Sequence, residues 1–172
     1  RGLPAGCELD HFSPWLVSAQ WQGHQVAESR NRLLMSRKSA TRAEKRRMDR
    51  IKIIGCLPCL LDGMPDRICD VHHVLDDSGE KRLGHRFTYG GCLWHHKGDE
   101  RPYGKSTMRE VFGPSLAEEP SRYAERYGSE QQLVELQDFL IEAYEYEPWP
   151  DFQIPRVLVS QLREKRHSLV NG

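Results

Sequence analysis

An α+β fold, a small β-hairpin core flanked by helices, is what three features of this 172-residue sequence predict. Two pairs of candidate metal ligands, Cys56-x-x-Cys59 and Cys92-x-x-His95, stand 36 positions apart by first ligand. Between them lie two short β-like segments, "CDVHHVL" at 69–75 and "HRFTYGG" at 85–91, joined by the polar loop "DDSGEKRLG". Segments of helical period with their own caps stand on both sides. A knuckle, a hairpin and a helix N-terminus in that order make a treble clef, which would gather Cys56, Cys59, Cys92 and His95 tetrahedrally around a structural zinc ion.

Composition sets the scale. With 38% apolar and 29% charged residues the core must be modest. The formal net charge of zero hides a strong segregation. Residues 35–54 carry eight Lys/Arg against two Asp/Glu, and residues 110–151 carry eleven Asp/Glu against two Arg. Such blocks suggest a basic binding arm and an acidic lobe. The longest apolar run, "IIGCLPCLL", is too short to span a bilayer and is interrupted by Pro58, so no membrane partner is expected. The first residues lack the form of a signal peptide. Five cysteines, two of them in C-x-x-C, favour metal-bound or redox thiolates over a disulfide framework, and so a reducing cytoplasm.

Residues 1–34 show neither helical nor strand period, "MSRKSATRAEKRRMDR" from Met35 reads like a protein start, and the extension is drawn over 1–37. The segment is an upstream readthrough, a disordered extension or an ordered piece. Over 38–55 the pattern predicts a basic helix: Thr41 caps it, Glu44 completes a capping box, and Gly55 ends it. Met48, Ile51 and Ile54 share its apolar face, with Arg42, Lys45, Arg46 and Arg50 on another. The core should occupy 56–115. An acidic helical lobe over 116–172 should hold helices near 119–127 and 129–146, then a short basic tail helix at 156–168. Ser129 and Gln132 cap the long one, and Leu133, Leu136, Phe139, Leu140, Ala143 and Tyr144 form its buried stripe.

Cys69 complicates the zinc set, because it could displace Cys92 or His95; it is read here as a small core residue. A more pointed question concerns the histidines that zinc leaves over. Four of them, His72, His73, His85 and His96, fall within 25 residues around one hairpin and helix. Adjacent residues on a strand point to opposite faces, so His72 and His73 should address different surroundings.

Taken together, "CDVHHVL…GHRFTYGGCLWHHKG" resembles the HNH, or ββα-metal, nuclease motif. The flanking "AEKRRMDRIKIIGCLPC" and "YAERYGSEQQLVELQDFL" are similar to the phage-encoded Ref family of RecA-dependent nucleases, over about residues 38–146. The resemblance implies a divalent-metal-dependent DNA endonuclease acting in phage-linked recombination, with DNA and a RecA filament as partners in a bacterial cytoplasm. It makes His72 and His96 ligands of a catalytic metal, with Mg²⁺ expected and Zn²⁺ or Mn²⁺ as alternatives, and His73 the general base. Both residues of the first pair must then reach one cleft, which requires a bulge or strand end near His73. HNH motifs place an asparagine where His85 is the nearest candidate, so His85 either orients the loop or contacts phosphate. Tyr103-Gly104 stands where a further histidine is common, which leaves the metal one protein ligand short. Arg42, Lys45, Arg46, Arg47 and Arg50 would bind the DNA backbone. The alternatives are a non-specific or restriction-type HNH nuclease without RecA, and a non-catalytic zinc-stabilised DNA-binding module, which would need neither His73 nor His96.

Overall fold

The computed structural model describes residues 39–64, 68–150 and 153–171, all within the compact unit Met35–Gly172. The extension expected over 1–37 and the fifth cysteine, Cys7, lie outside the described residues.

The chain runs α1 (Arg42–Ile54), α2 (Leu57–Leu61), β1 (Asp70–His73), β2 (Thr88–Gly91), α3 (Leu93–Lys97), α4 (Lys105–Phe112), α5 (Pro120–Tyr127), α6 (Glu130–Tyr146) and α7 (Arg156–Asn171). This is the expected α+β mixture. Both capping boxes form: Thr41 with Glu44 at the start of α1, and Ser129 with Gln132 at the start of α6. Each satisfies amide donors that the first helical turn leaves without intrahelical acceptors. Gly55 stops α1 at φ +96°, where a side chain would be strained.

β1 and β2 pair antiparallel in the register Asp70–Gly91, Val71–Gly90, His72–Tyr89 and His73–Thr88. Both strands are shorter than the 69–75 and 85–91 expected, for an identifiable reason. Phe87 donates its amide to the Gly84 carbonyl, and the Thr88 hydroxyl donates to the His85 carbonyl, so 84–88 turns instead of extending. His85 therefore sits on a turn. Beyond His73 the Val74 amide donates to the Phe87 carbonyl, and an isolated bridge joins Leu75 and Arg82.

A hairpin of two four-residue strands cannot hold itself together. It lies between α1 and α6, whose apolar faces supply Ile51, Ile54, Leu133, Leu136 and Leu140, with α7 packed on α6. The stripe expected on α6 is largely as read, with Val134, Gln137 and Ile141 added to its buried side. Gln137 is fully buried because its Oε1 accepts the Gly90 amide at 3.0 Å. Gly90 is also where the end of α1 meets the sheet. A Cβ there would stand 2.3 Å from the Gly55 carbonyl oxygen and 3.0 Å from Cys69 Sγ.

That contact generates a stability test. Gly90→Ala must push the end of α1 off the sheet, with an overpacking cost of about 1–3 kcal/mol. Thr41→Ala removes one cap and costs about 1 kcal/mol. In chemical denaturation both variants should lower the midpoint, Gly90→Ala by more.

Candidate functional site

Two groups of side chains gather next to the hairpin, one buried between α2 and α3 and one on β1, the turn at 84–88 and α3. The inner group is Cys56 and Cys59 around the start of α2, Cys92 at the N-cap of α3, and His95 one turn into α3. All four are buried, and their ligand atoms lie within 4.8 Å of one another. Cys56 and Cys59 Sγ stand 3.4 and 3.5 Å from His95 Nδ1, Cys92 Sγ stands 3.2 Å from it, and Cys59 and Cys92 Sγ are 4.0 Å apart. A tetrahedron with zinc–sulfur arms near 2.3 Å and zinc–nitrogen arms near 2.0 Å has edges of roughly 3.5–3.8 Å, so the donors are spaced to close on one ion.

The surroundings prepare His95 for that role. Its Nε2 lies 2.8 Å from the Phe112 carbonyl, which can only accept, so the proton is on Nε2 and the Nδ1 lone pair faces the thiols. The Tyr127 hydroxyl flanks the same Nε2 at 3.3 Å and donates to Asp62 at 2.7 Å. Burial pushes the Cys56 thiol well above its ordinary pKa, and the two neighbouring cysteines push the same way. A divalent cation at the centre supplies the charge that lets such thiols ionise. Cys69 is not part of this set. Its Sγ donates to the Ile51 carbonyl at 3.5 Å, and burial raises its pKa to about 12, as befits a core thiol.

The outer group follows from two periodicities. On β1, His72 and His73 point to opposite faces, and the pairing stays regular up to His73, where the strand ends without a bulge. On α3, successive residues diverge by about 100°, so His95 turns inward and its neighbour His96 turns toward β1. His72 and His96 meet edge to face with ring centroids 4.7 Å apart. The Gly91 backbone permits this, since a Cβ there would come within 3.2 Å of His96 Cβ. His73 meets His85 instead, Nε2 to Nδ1 at 3.0 Å. Four histidines thus form two pairs.

Burial, then Arg82, His85 and His72, lower the pKa of His73, against an opposing backbone contact with Val71. Burial, then His72 and Lys97, lower that of His96. Both rings therefore favour the neutral form, which serves a base or a ligand. The Nδ1 atoms of His72 and His96 are buried and have no hydrogen-bond partner among the described residues. Two orphaned imidazole nitrogens on facing rings suit a metal, although the four-ligand centre is the only cluster of three or more potential ligands among the described residues.

Beside His96 opens a cleft of about 540 Å³ between α1 and β1. Lys45, Lys52, Arg82 and Lys97 line it, against Asp49 and Asp70. Of the basic residues read as DNA-binding, Arg42, Lys45 and Arg46 are exposed. Arg47 is not free for that role. Its side chain is 13% exposed, ion-paired with Asp138, and donates to the Thr88 hydroxyl at 3.2 Å and carbonyl at 2.8 Å. Arg50 lies over the Tyr144 ring at 4.9 Å. Helical period alone could not separate these, because the packing of α6 decides which arginines are covered. Lys52, Arg82, Lys97 and Glu130, whose Oε1 is 2.5 Å from His72 Nε2, were not legible as site residues. Glu130 is 58 positions from its partner and belongs to no motif.

The family model described as "Recombination enhancement, RecA-dependent nuclease" matches residues 40–142, from the cap of α1 into α6, and so includes both histidine pairs and the four-ligand centre. No curated protein and no solved structure matches the chain.

Metal analysis of the purified chain should return one tightly held ion that requires the inner group. Cys59→Ser should lose the ion and melt at a lower temperature, while Cys69→Ala keeps it. Equal metal content in both variants would remove the four-ligand assignment.

Proposed function

Because the chain belongs to the family of RecA-dependent recombination-enhancement nucleases, we propose that it is an HNH-type DNA endonuclease with a structural zinc and a separate catalytic divalent metal. The observation that carries this reading is the division of the four outer histidines into the pairs His72–His96 and His73–His85, the first of which borders a basic cleft through His96. A structural zinc centre needs none of the four, whereas phosphodiester hydrolysis needs a base and a charge acceptor near one another.

In this reading Cys56, Cys59, Cys92 and His95 hold zinc and fix the hairpin against α3. His72 and His96 would hold the second divalent metal. That ion, when bound, stabilises charge on the scissile phosphate and the leaving 3′ oxygen. His73 takes the proton from the attacking water at Nε2, and His85 orients the ring through its contact with that atom until substrate enters. His73 is the last residue of β1 and still pairs in register with Thr88, so ligand and base leave the strand on opposite faces and substrate would have to pass round the strand end to meet both. DNA phosphates run along Arg42, Lys45 and Arg46 into the cleft edged by Lys52, Arg82 and Lys97. The substrate is DNA held in a RecA filament, a reading that rests on the family, as does a bacterial cytoplasmic, phage-linked setting.

Single-turnover cleavage of single-stranded and duplex DNA, with and without RecA and ATP, tests the whole. His73→Ala should lower the rate by about 10²–10⁴ while metal binding persists. His72→Ala should weaken metal binding, with partial recovery at high Mn²⁺. Because burial holds the His73 pKa below its ordinary value, the rate should rise with pH at acid and level off at a lower pH than an ordinary imidazole would give. Wild-type cleavage by His73→Ala contradicts the assignment of the base.

Affinity has its own signature. Replacing Arg42, Lys45 and Arg46 by Gln should weaken DNA binding and reduce the salt slope by roughly one unit per lost phosphate contact. Arg47→Gln should instead lower the melting temperature, since it breaks the ties to Asp138 and Thr88.

A further inference from the structure

Glu130 opens α6, directly after the Ser129 cap, and its carboxylate reaches across to β1. Its Oε1 stands 2.5 Å from His72 Nε2, with the His72 side chain 12% and the Glu130 side chain 30% exposed. An ionised carboxylate only accepts, so His72 carries its proton on Nε2 and presents a lone pair at Nδ1. That Nδ1 is the buried atom without a hydrogen-bond partner among the described residues, and the His72 ring faces His96.

We propose that Glu130 is a positioning residue of the catalytic centre: it fixes the Nε2–H tautomer and the ring orientation of His72, so that Nδ1 is the atom offered to the divalent metal. The proposal rests on the reading of His72 as a metal ligand and adds to it a device supplied by the acidic lobe. A carboxylate behind a ligating imidazole raises its basicity and removes the cost of selecting a tautomer at binding. The two capping hydrogen bonds between Ser129 and Gln132 fix the start of α6, and so the place from which Glu130 reaches. Thus α6, with five acidic residues, has one carboxylate with a task at the metal.

The test uses the zinc-loaded full chain, Mn²⁺ as probe and two readouts other than cleavage. Long-range ¹H–¹⁵N spectra report the tautomer of each imidazole, with His72→Ala identifying the His72 signals. Wild type should show the Nε2–H form at His72, and Glu130→Ala a mixture of both tautomers. Calorimetric Mn²⁺ affinity should fall about 10- to 100-fold in Glu130→Ala, with zinc content unchanged, and recover in part in Glu130→Gln, whose amide oxygen can still accept. An Nδ1–H tautomer in wild type overturns the proposal, whatever the folding of the variants. So does an unchanged or tighter Mn²⁺ affinity in Glu130→Ala, the tighter case meaning that the carboxylate competes with the metal. If His72→Ala loses Mn²⁺ while Glu130→Ala retains it, only the positioning role falls. If His72→Ala binds Mn²⁺ like wild type, the ligand reading beneath it falls as well.

Discussion

The gathering of three thiols and one imidazole between α1's end and α3's start is the constraint from which the rest of the domain follows. Two four-residue strands and a five-residue helix bury too little surface to be fixed by packing alone. Cys92 directly follows β2 and caps α3, so whatever holds Cys92 sets both elements. Once β2 is placed, the register carries the placement to β1 and to His72 and His73. The second requirement is a backbone one. Gly55 and Gly90 must approach closely enough that no Cβ fits between them, and that contact brings the basic helix against the sheet.

This arrangement lets neighbouring residues do unlike work. His95 and His96 are consecutive on a helix, and His72 and His73 are consecutive on a strand. In each pair local geometry separates the directions, by about 100° on α3 and to opposite faces on β1. The inward member of the helical pair belongs to the buried centre. The other three join across elements, with His85 brought in by the turn at 84–88. That turn is itself held from outside: Arg47 grips Thr88, whose hydroxyl holds the His85 carbonyl. An arginine of the basic helix therefore acts through two hydrogen bonds on His85, the partner of the candidate base, without facing solvent.

The acidic and basic blocks of the chain meet inside the fold as well as on its surface. Asp138 pairs with Arg47, Glu130 with His72, and Asp62 with Arg126 and Tyr127 behind His95. Each joins a helix of the acidic lobe, α5 or α6, to the core or to the basic helix. The exposed pairs among them contribute little individually. Their value is in orienting partners that are already partly buried, as with the Nε2–H of His72.

Local chemistry was readable without coordinates. Thr41 with Glu44 and Ser129 with Gln132 announced both capped helices, because capping depends on residues three apart. The C-x-x-C and C-x-x-H half-sites announced the buried centre, since ligands so close in sequence converge on one ion. The α+β mixture followed from the same spacing. What the sequence left open was every relation that spans elements. The lengths of β1 and β2 depended on a turn held by Thr88, the fate of Arg47 and Arg50 on the packing of α6, and the exclusion of Cys69 on the Ile51 carbonyl. Glu130 lay furthest from view. A hydrogen bond between residues 58 positions apart leaves no period, cap or spacing to read, and only the packing of α6 across the sheet creates it.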